Sequence, residues 1–253
     1  MTANSLPQEA QLGMRFWLLT LAAVIGVGVT FSLGQWQLAR AAQKQALHRA
    51  IEDKKSLPAV NWRDLLASEN IASLVYRPTV LRGRWLPDHT VFLDNRQLHG
   101  IPGFFVLTLL QPEQGGAAVL VQRGWVQRNF LDRSQLPAVQ TPAGVQQIDG
   151  HIAPPPSRMF EPGNSADRAQ GFSRIRQNID LAAFGAEIRQ AVLPMSVLQS
   201  GAPSEGLQRD WPEIGTGVEK HYGYAFQWFA LAGLIATLYV WFQIVRRFFP
   251  SRR

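Results

Sequence analysis

The sequence predicts a membrane protein of the α+β class, in which an N-terminal and a C-terminal transmembrane helix flank a strand-rich, mostly antiparallel domain. Residues 16–33 and 225–245 contain no charged side chain, and each segment is long enough to cross a bilayer as a helix. The chain between them is polar, with short apolar and aromatic runs separated by Gly, Pro, Asn and Asp. That pattern is typical of antiparallel strands.

The elements follow in order along the chain. A tail of residues 1–15 precedes the first transmembrane helix at 16–34, and a domain at 35–222 leads to the second transmembrane helix at 223–245 and a basic tail at 246–253. Because two spans bring the chain back across the membrane, both termini lie on one side and the whole domain lies on the other.

Helical and strand patterns alternate within the domain. Residues 36–55 lack Gly and Pro, so the first helix is expected to continue beyond the membrane. Asn61 can cap a short helix at 62–68. Five runs have strand character: residues 79–85, 90–94, 104–110, 118–126 and 145–152. These runs indicate a curled sheet or a small barrel, with turns at 93–96 and 100–103.

The remaining third of the domain is less regular. Residues 157–171 are expected to form an exposed loop, and residues 179–188 a short helix capped by Asn178. A returning strand is expected at 191–198. Residues 201–217 have the composition of a linker that leads to the second span.

Charges beside the two spans predict the orientation. Four arginines without an intervening acid directly follow the second span: Arg246, Arg247, Arg252 and Arg253. Such a cluster is retained in the cytoplasm. The first span indicates the opposite orientation, because more basic residues follow it than precede it. We expect the second cluster to dominate, with both termini cytoplasmic. A cleavable signal peptide at 1–34 is the alternative, although its apolar run exceeds the usual signal core.

Composition argues against several functions. The net charge of +7 would suit a nucleic-acid partner, but the four arginines beside the second span supply most of it, so membrane topology explains it better. The chain contains no cysteine, which excludes disulfides and thiolate metal sites. Its four methionines are scattered, so we expect no copper site built from Cys or clustered Met.

Enzyme motifs are absent from the sequence. It has no nucleophile elbow, zinc-protease helix motif, P-loop or dinucleotide-binding glycine motif. The five histidines share no spacing of three or four residues that would pair them on a helix. We therefore expect that the protein is not an enzyme and that its function is binding.

His221, at the start of the second apolar segment, is the candidate ligand residue. On a helix, His221, Tyr224 or Ala225, and Trp228 lie on one face. This arrangement puts an imidazole at the outer membrane boundary, above an aromatic surface. A neutral imidazole can bind haem iron, and an apolar wall suits the macrocycle. The alternative is an interfacial histidine within an ordinary aromatic belt.

Several arginines on or beside the predicted strands suggest an anion site. They are Arg82, Arg84, Arg96 and Arg123. Guanidinium groups bind carboxylates such as propionates through paired hydrogen bonds. Solvated strand faces or cross-strand ion pairs are the alternative.

Taken together, the sequence blocks resemble those of the surfeit-locus-one family of cytochrome oxidase assembly factors, over nearly the whole chain. Four blocks occur in the family's order. They are Gly34-Gln35-Trp36-Gln37-Leu38-Ala39-Arg40 with Lys44, then Leu93-Asp94-Asn95-Arg96 with Gly100 and Pro102-Gly103, then Val121-Gln122-Arg123-Gly124-Trp125-Val126, and last His221 with Tyr224-Ala225-Phe226-Gln227-Trp228-Phe229.

The resemblance implies a bacterial inner-membrane protein, with a periplasmic domain, that helps to deliver haem a to subunit I of the haem–copper oxidase or to insert it there. It implies that His221 binds the haem iron transiently, beside Tyr224 and Trp228. Oxidase subunit I, haem a synthase and the lipid bilayer are the expected partners. Propionate or partner contacts are expected at Trp36, Arg40, Arg96, Arg123, Gly124 and Trp125. A haem-independent membrane scaffold that stabilises an oxidase assembly intermediate is the alternative.

Overall fold

A computed structural model of the chain describes residues 13–132, 134–160, 172–211, 215 and 217–248. These residues belong to two compact units. The helical unit combines the two terminal segments, Met1–Arg49 and Gly215–Arg253, and the sheet unit is Ala50–Ile214. The predicted tails at 1–15 and 246–253, the predicted loop at 157–171 and the linker at 201–217 lie partly outside the described residues.

Two long helices form the helical unit. Helix α1 spans Met14–Lys55, so the first apolar segment continues without interruption into the polar residues that follow it. Helix α4 spans Val218–Tyr239 and continues through a π-helical turn, Val240–Val245, into the short helix α5, Arg246–Phe248. Both helices are long and apolar enough to cross a membrane.

Helices α1 and α4 pack antiparallel along a narrow seam. Within the helical unit, the buried residues of α1 recur at intervals of four and three, and those of α4 at intervals of seven, which is the period of a left-handed helix pair. They are Thr30, Gly34, Gln37 and Ala41 on α1, and Val218, Ala225 and Ala232 on α4. The large apolar side chains beside this seam are mostly exposed. A helix in the core of a soluble protein would bury that surface, whereas lipid can cover it.

A six-stranded mixed sheet forms the core of the sheet unit. Its strands are β1 (Pro78–Leu98), β2 (Ile101–Pro112), β3 (Ala118–Gln127), β4 (Val145–Ala153), β5 (Ile175–Arg176) and β6 (Val192–Gln199). Their order is β2-β3-β6-β4-β1-β5, and β1 also pairs with β2, so the pairings of five strands close into a circuit. Four pairings are antiparallel, whereas β3–β6 and β1–β5 are parallel.

The interior of this circuit is the main hydrophobic core. Each of its five strands contributes a fully or almost fully buried side chain to one cluster: Leu81, Leu110, Val121, Ile152 and Val197. Burial of these apolar side chains is the chief contribution to the stability of such a domain.

Two short helices cover the sheet. Helix α2 (Trp62–Ala67) begins at Asn61, whose side chain accepts from the Asp64 amide while the Asp64 carboxylate accepts from the Asn61 amide. This reciprocal cap confirms the cap predicted at Asn61. Helix α3 (Leu181–Ile188) is capped by Asp180, so the prediction of Asn178 as its cap was wrong. The Asn178 side chain instead bonds the Met159 backbone.

The fold class predicted from the sequence is confirmed: two helices of transmembrane length flank a strand-rich, mostly antiparallel domain. The turn predicted at 93–96 was wrong, because these residues lie within β1, where Asn95 has a φ of 59° and the register with β2 shifts. The hairpin turn lies at His99 and Gly100, both with positive φ, the backbone form that two-residue hairpins favour.

Candidate functional site

His221 lies in the first turns of α4, at the start of the seam with α1. The helix begins at Val218, after Gly217 in the left-handed conformation. His221 is half-buried, and Ala225, one turn further along, is buried in the seam. The seam therefore holds the imidazole from one side and leaves its other side open.

Gln37 of α1 holds this imidazole. Its side-chain oxygen Oε1 lies 2.7 Å from Nδ1 of His221, and only 9% of the Gln37 surface is exposed. In a neutral imidazole one nitrogen carries the hydrogen and the other a lone pair. With a carbonyl oxygen as the acceptor, Nδ1 carries the hydrogen and Nε2 carries the lone pair.

The Nε2 atom of His221 is open to a ligand. Within the described chain it makes no hydrogen bond, and it is not among the buried polar atoms that lack a partner. A lone pair on an accessible nitrogen, with the opposite ring nitrogen fixed by a carbonyl, is the arrangement that metal-binding histidines adopt.

Aromatic residues of α4 flank His221. Tyr224 is exposed and Trp228 is half-buried, and both lie on the helix face of His221. Phe229 packs in the seam against Phe31, with ring centroids 5.3 Å apart. A Cβ atom at Gly34 would lie 2.6 Å from the Phe229 ring. Glycine is thus required where the ring approaches α1 most closely.

The chemistry of these side chains fits a haem group. Haem would need a nitrogen ligand for its iron and an apolar surface for its ring. His221 would hold the iron, and Tyr224 and Trp228 would supply the surface. Among the described residues, no three His, Cys, Asp or Glu side chains group closely enough to hold a metal ion on their own.

Trp36 and Arg40 lie on α1 near Gln37. Trp36 is exposed, and the Arg40 guanidinium lies 5.9 Å from its ring centroid. Arg40 also donates to the side-chain oxygen of Gln43 at 3.2 Å. Both residues are exposed, and the partner contacts expected of them stay predictions.

Arg96 lies on β1 and is buried. It donates to the carbonyl oxygens of Ser157 at 2.9 Å and Gln177 at 3.2 Å, and its own carbonyl accepts from Nε1 of Trp125 at 2.9 Å. Burial lowers the pKa of the Arg96 guanidinium from its ordinary value. The two guanidinium bonds join β1 to the segments before and after residues 161–171, and the bond from Trp125 joins it to β3.

Arg123 is completely buried in a polar network. Its guanidinium lies 2.7 Å from the Glu205 carboxylate, donates to the Gln140 carbonyl at 2.6 Å and to Thr141 at 2.8 Å, and stacks 4.7 Å from the Trp85 ring centroid. Arg209 approaches the same carboxylate at 3.4 Å. Two buried cations therefore share one carboxylate.

Gly124 and Trp125 bind the segment that contains Glu205. Trp125 exchanges backbone hydrogen bonds with Gln208 at 2.7 and 2.8 Å. A Cβ atom at Gly124 would lie 2.7 Å from the Gln208 oxygen and 2.8 Å from Cβ of Leu207. The Arg123-Gly124-Trp125 block thus docks residues 204–209 against β3.

The predicted site residues therefore fall into two sets. His221, Tyr224, Trp228, Trp36 and Arg40 belong to the helical unit, whereas Arg96, Arg123, Gly124 and Trp125 form one connected group in the sheet unit. The terminal nitrogens of Arg96 and Arg123 donate to groups within the domain, whereas the Nε atom of each is buried without a hydrogen-bond partner. The partner or propionate contacts expected of these residues stay predictions. The exposed Arg82 lies 3.6 Å from Glu113 of the neighbouring segment, as the ion-pair alternative expects.

Sequence reasoning missed three important residues. The sequence analysis names Gln37 only as part of a family block. Its spacing from positions 30, 34 and 41 puts it on the buried side of the helix, and a polar residue there indicates a partner on the facing helix. Glu205 and Arg209 lie in the linker-like segment at 201–217, where no local pattern marks a buried ion pair.

Comparison with known proteins identifies the family. The model of the SURF1 family matches residues 24–233, a range that includes both Gln37 and His221. The chain belongs to the SURF1 family. A SURF1-like protein of Rickettsia felis is 24% identical to it over 237 residues, which cover 87% of this chain and 94% of that protein.

Two eukaryotic relatives are also similar. A SURF1-like protein of Drosophila melanogaster is 27% identical over 257 residues, which cover 91% of this chain and 78% of the fly protein. The cytochrome oxidase assembly protein SHY1 of Saccharomyces cerevisiae is 29% identical over 98 residues. That match covers 39% of this chain and 25% of the yeast protein.

Proposed function

We propose that this SURF1-family chain is a cytochrome oxidase assembly factor, which holds haem a at His221 during its delivery to subunit I of the oxidase or its insertion there. Membership of the family and the similarity to yeast SHY1, a cytochrome oxidase assembly protein, support the assembly role. We expect binding and hand-over of a cofactor, without a catalysed reaction.

The hydrogen bond between Gln37 and His221 carries the haem proposal. It fixes Nδ1 of the imidazole at 2.7 Å from an amide oxygen and leaves Nε2 accessible. Haem a would supply an iron that such a nitrogen can hold. Tyr224 and Trp228 offer the aromatic surface beside it, and the seam residue Ala225 keeps that part of α4 against α1.

The proposed setting is the bacterial inner membrane, crossed by α1 and α4. Both termini are assigned to the cytoplasm and the sheet unit to the periplasm, because the arginines after the second span favour retention of that end. Haem a synthase and oxidase subunit I, the expected source and recipient of haem a, are the proposed partners.

A haem-independent scaffold is the second candidate. The observation that favours it is the internal use of Arg96, Arg123 and Trp125, which bond to other parts of the sheet unit. In that case these blocks build a docking domain, and the oxidase intermediate is stabilised by protein contacts alone.

A complementation experiment tests both candidates. A deletion strain is complemented with the wild type, His221→Ala, or the control His48→Ala, which removes an exposed histidine of α1. The a-type signal in reduced-minus-oxidised spectra of the membranes measures assembled oxidase, and haem spectra of each purified full-length protein measure binding.

The outcomes separate the candidates. Restoration by the wild type and His48→Ala, with loss of both oxidase and bound haem a in His221→Ala, supports haem delivery. Equal restoration by His221→Ala, with no haem on the wild type, supports the scaffold. An intact oxidase in the uncomplemented deletion strain contradicts both roles.

A further inference from the structure

We infer that Gln37 is a positioning residue for His221, one that selects the imidazole tautomer with its hydrogen on Nδ1 and so presents the Nε2 lone pair to the haem iron. This inference rests on the proposed function for its ligand, but its first half concerns the protein alone. The two residues lie 184 positions apart and belong to the two facing helices of the helical unit.

The buried side chain of Gln37 requires a hydrogen-bond partner. It lies in the buried seam of α1 between Gly34 and Ala41, where the neighbouring buried positions are small or apolar. An amide in such a place is unfavourable unless it is hydrogen-bonded. The His221 ring provides that bond, so the side chains of Gln37 and His221 hold each other in one orientation.

The chemical type of the partner is equally informative. A carboxylate at this position would stabilise the imidazolium form and would raise the basicity of the ligand nitrogen. A carboxamide fixes the ring orientation and tautomer without adding a negative charge. An imidazole without a carboxylate behind it binds iron more weakly than a carboxylate-supported one, which suits a protein that must release its haem.

The tautomer can be measured without haem. Nitrogen-15 NMR of the histidine rings in the full-length protein in detergent micelles distinguishes hydrogen on Nδ1 from hydrogen on Nε2. We expect the wild type to hold His221 with hydrogen on Nδ1, and Gln37→Leu to lose that preference. The control Gln35→Leu changes an exposed residue of the same helix turn and should leave the tautomer unchanged.

Haem a titration tests the second half of the inference. Purified haem a is added to the wild type, Gln37→Leu, Gln37→Glu, Gln35→Leu and His221→Ala, and the readouts are the dissociation constant, the reduction potential and the iron–imidazole stretching frequency. We expect Gln37→Leu to weaken binding about 10- to 100-fold, as loss of such supporting groups typically does. Gln37→Glu should keep binding while lowering the potential and raising the stretching frequency.

The variants distinguish the possible failures. If wild type and His221→Ala bind haem a equally, the proposed function fails. If His221→Ala loses haem while Gln37→Leu keeps the wild-type affinity, potential and tautomer, the positioning role alone is overturned. Should Gln37→Leu not fold, an unchanged potential and stretching frequency in Gln37→Glu would overturn it instead.

Discussion

Glu205 is the carboxylate on which two buried guanidinium groups depend. Arg123 is completely buried, Arg209 is nearly so, and the Glu205 side chain is only 18% exposed. Burial lowers the pKa of Arg209, the Glu205 carboxylate raises it and Arg123 lowers it further. The network therefore contains one more positive than negative charge, and Glu205 supplies its negative charge.

We predict that Glu205→Ala lowers the free energy of unfolding by about 3–5 kcal/mol, because it leaves buried charges without their partner. The measurement is urea unfolding of the full-length protein in detergent, followed by tryptophan fluorescence. Glu113→Ala is the control, since it removes the exposed ion pair with Arg82 and should change stability by less than about 1 kcal/mol. Equal effects of the two variants would contradict a structural role for the network.

His151 should make the stability of the sheet unit depend on pH. Burial lowers the pKa of His151 from 6.5, and the nearby Lys55 lowers it further, while Glu52 opposes both. Below about pH 6.5 the unfolded chain takes up a proton that the folded chain does not, so stability falls as the pH drops toward the folded-state value. Above about pH 6.5 this contribution is fully present.

The test compares wild type with His151→Gln. Unfolding midpoints are measured between about pH 5 and about pH 7.5. The midpoint of the variant should fall less on acidification than that of the wild type. If the two curves stay parallel over this range, another group controls the acid sensitivity.

Helix α1 depends on Gly34 for its approach to α4. A Cβ atom there would overlap the Phe229 ring, whereas one at Gly28 would meet nothing within 4 Å. We expect Gly34→Ala to destabilise the helix pair by about 1–3 kcal/mol through overpacking. Gly28→Ala, on the same helix, should be neutral or stabilising by up to about 1 kcal/mol through helix propensity. Thermal unfolding in detergent measures the stability of both variants. A midpoint for Gly34→Ala at or above that of Gly28→Ala would contradict close packing of the two helices at Gly34.

Local patterns predicted most elements because they act over short distances. The uncharged segments at 16–33 and 225–245 form helices, and the apolar runs form strands. The run at 79–85 and the run at 90–94 merge into one strand, β1. No local signal predicts this, since β1 is held by β4 over residues 78–84, by β2 from Gly83 onward and by the two-residue β5 near its middle.

The candidate site could be predicted only in part. His221 was found because an imidazole at the start of an apolar helix is unusual, and its helix neighbours follow from periodicity. Its partner Gln37 lies on the other helix, and the pairing depends on the register between α1 and α4. Likewise, the burial of Arg123 is set by Glu205, Gln140 and Thr141, which reach it from distant loops.

The seam between α1 and α4 joins the N-terminal and C-terminal segments of the chain into one unit. Contacts between α1 and α4 extend from the hydrogen bond of Thr20 with Tyr239 at 2.8 Å, through Gly26 and Ile235, to that of Gln37 with His221 at 2.7 Å. The polar bonds lie near the two ends of this series and small residues lie between them. Such a pairing is stable in lipid because packing and hydrogen bonds replace the hydrophobic effect between helices.

The orientation of the pair follows from charges that lie outside the seam. Since the two spans give conflicting signals, the arginines after α4 must outweigh the basic residues after the first span for the sheet unit to be exported.

The natural chain has no cysteine, so a single introduced thiol is the one site that a maleimide reagent can label. We predict that an impermeant maleimide labels Asp88→Cys, at an exposed residue of β1, in intact cells with a permeabilised outer membrane. Gly13→Cys, near the start of α1, should react only after the inner membrane is lysed. The reverse pattern would place the sheet unit in the cytoplasm, and it would also rule out hand-over of haem a on the periplasmic side.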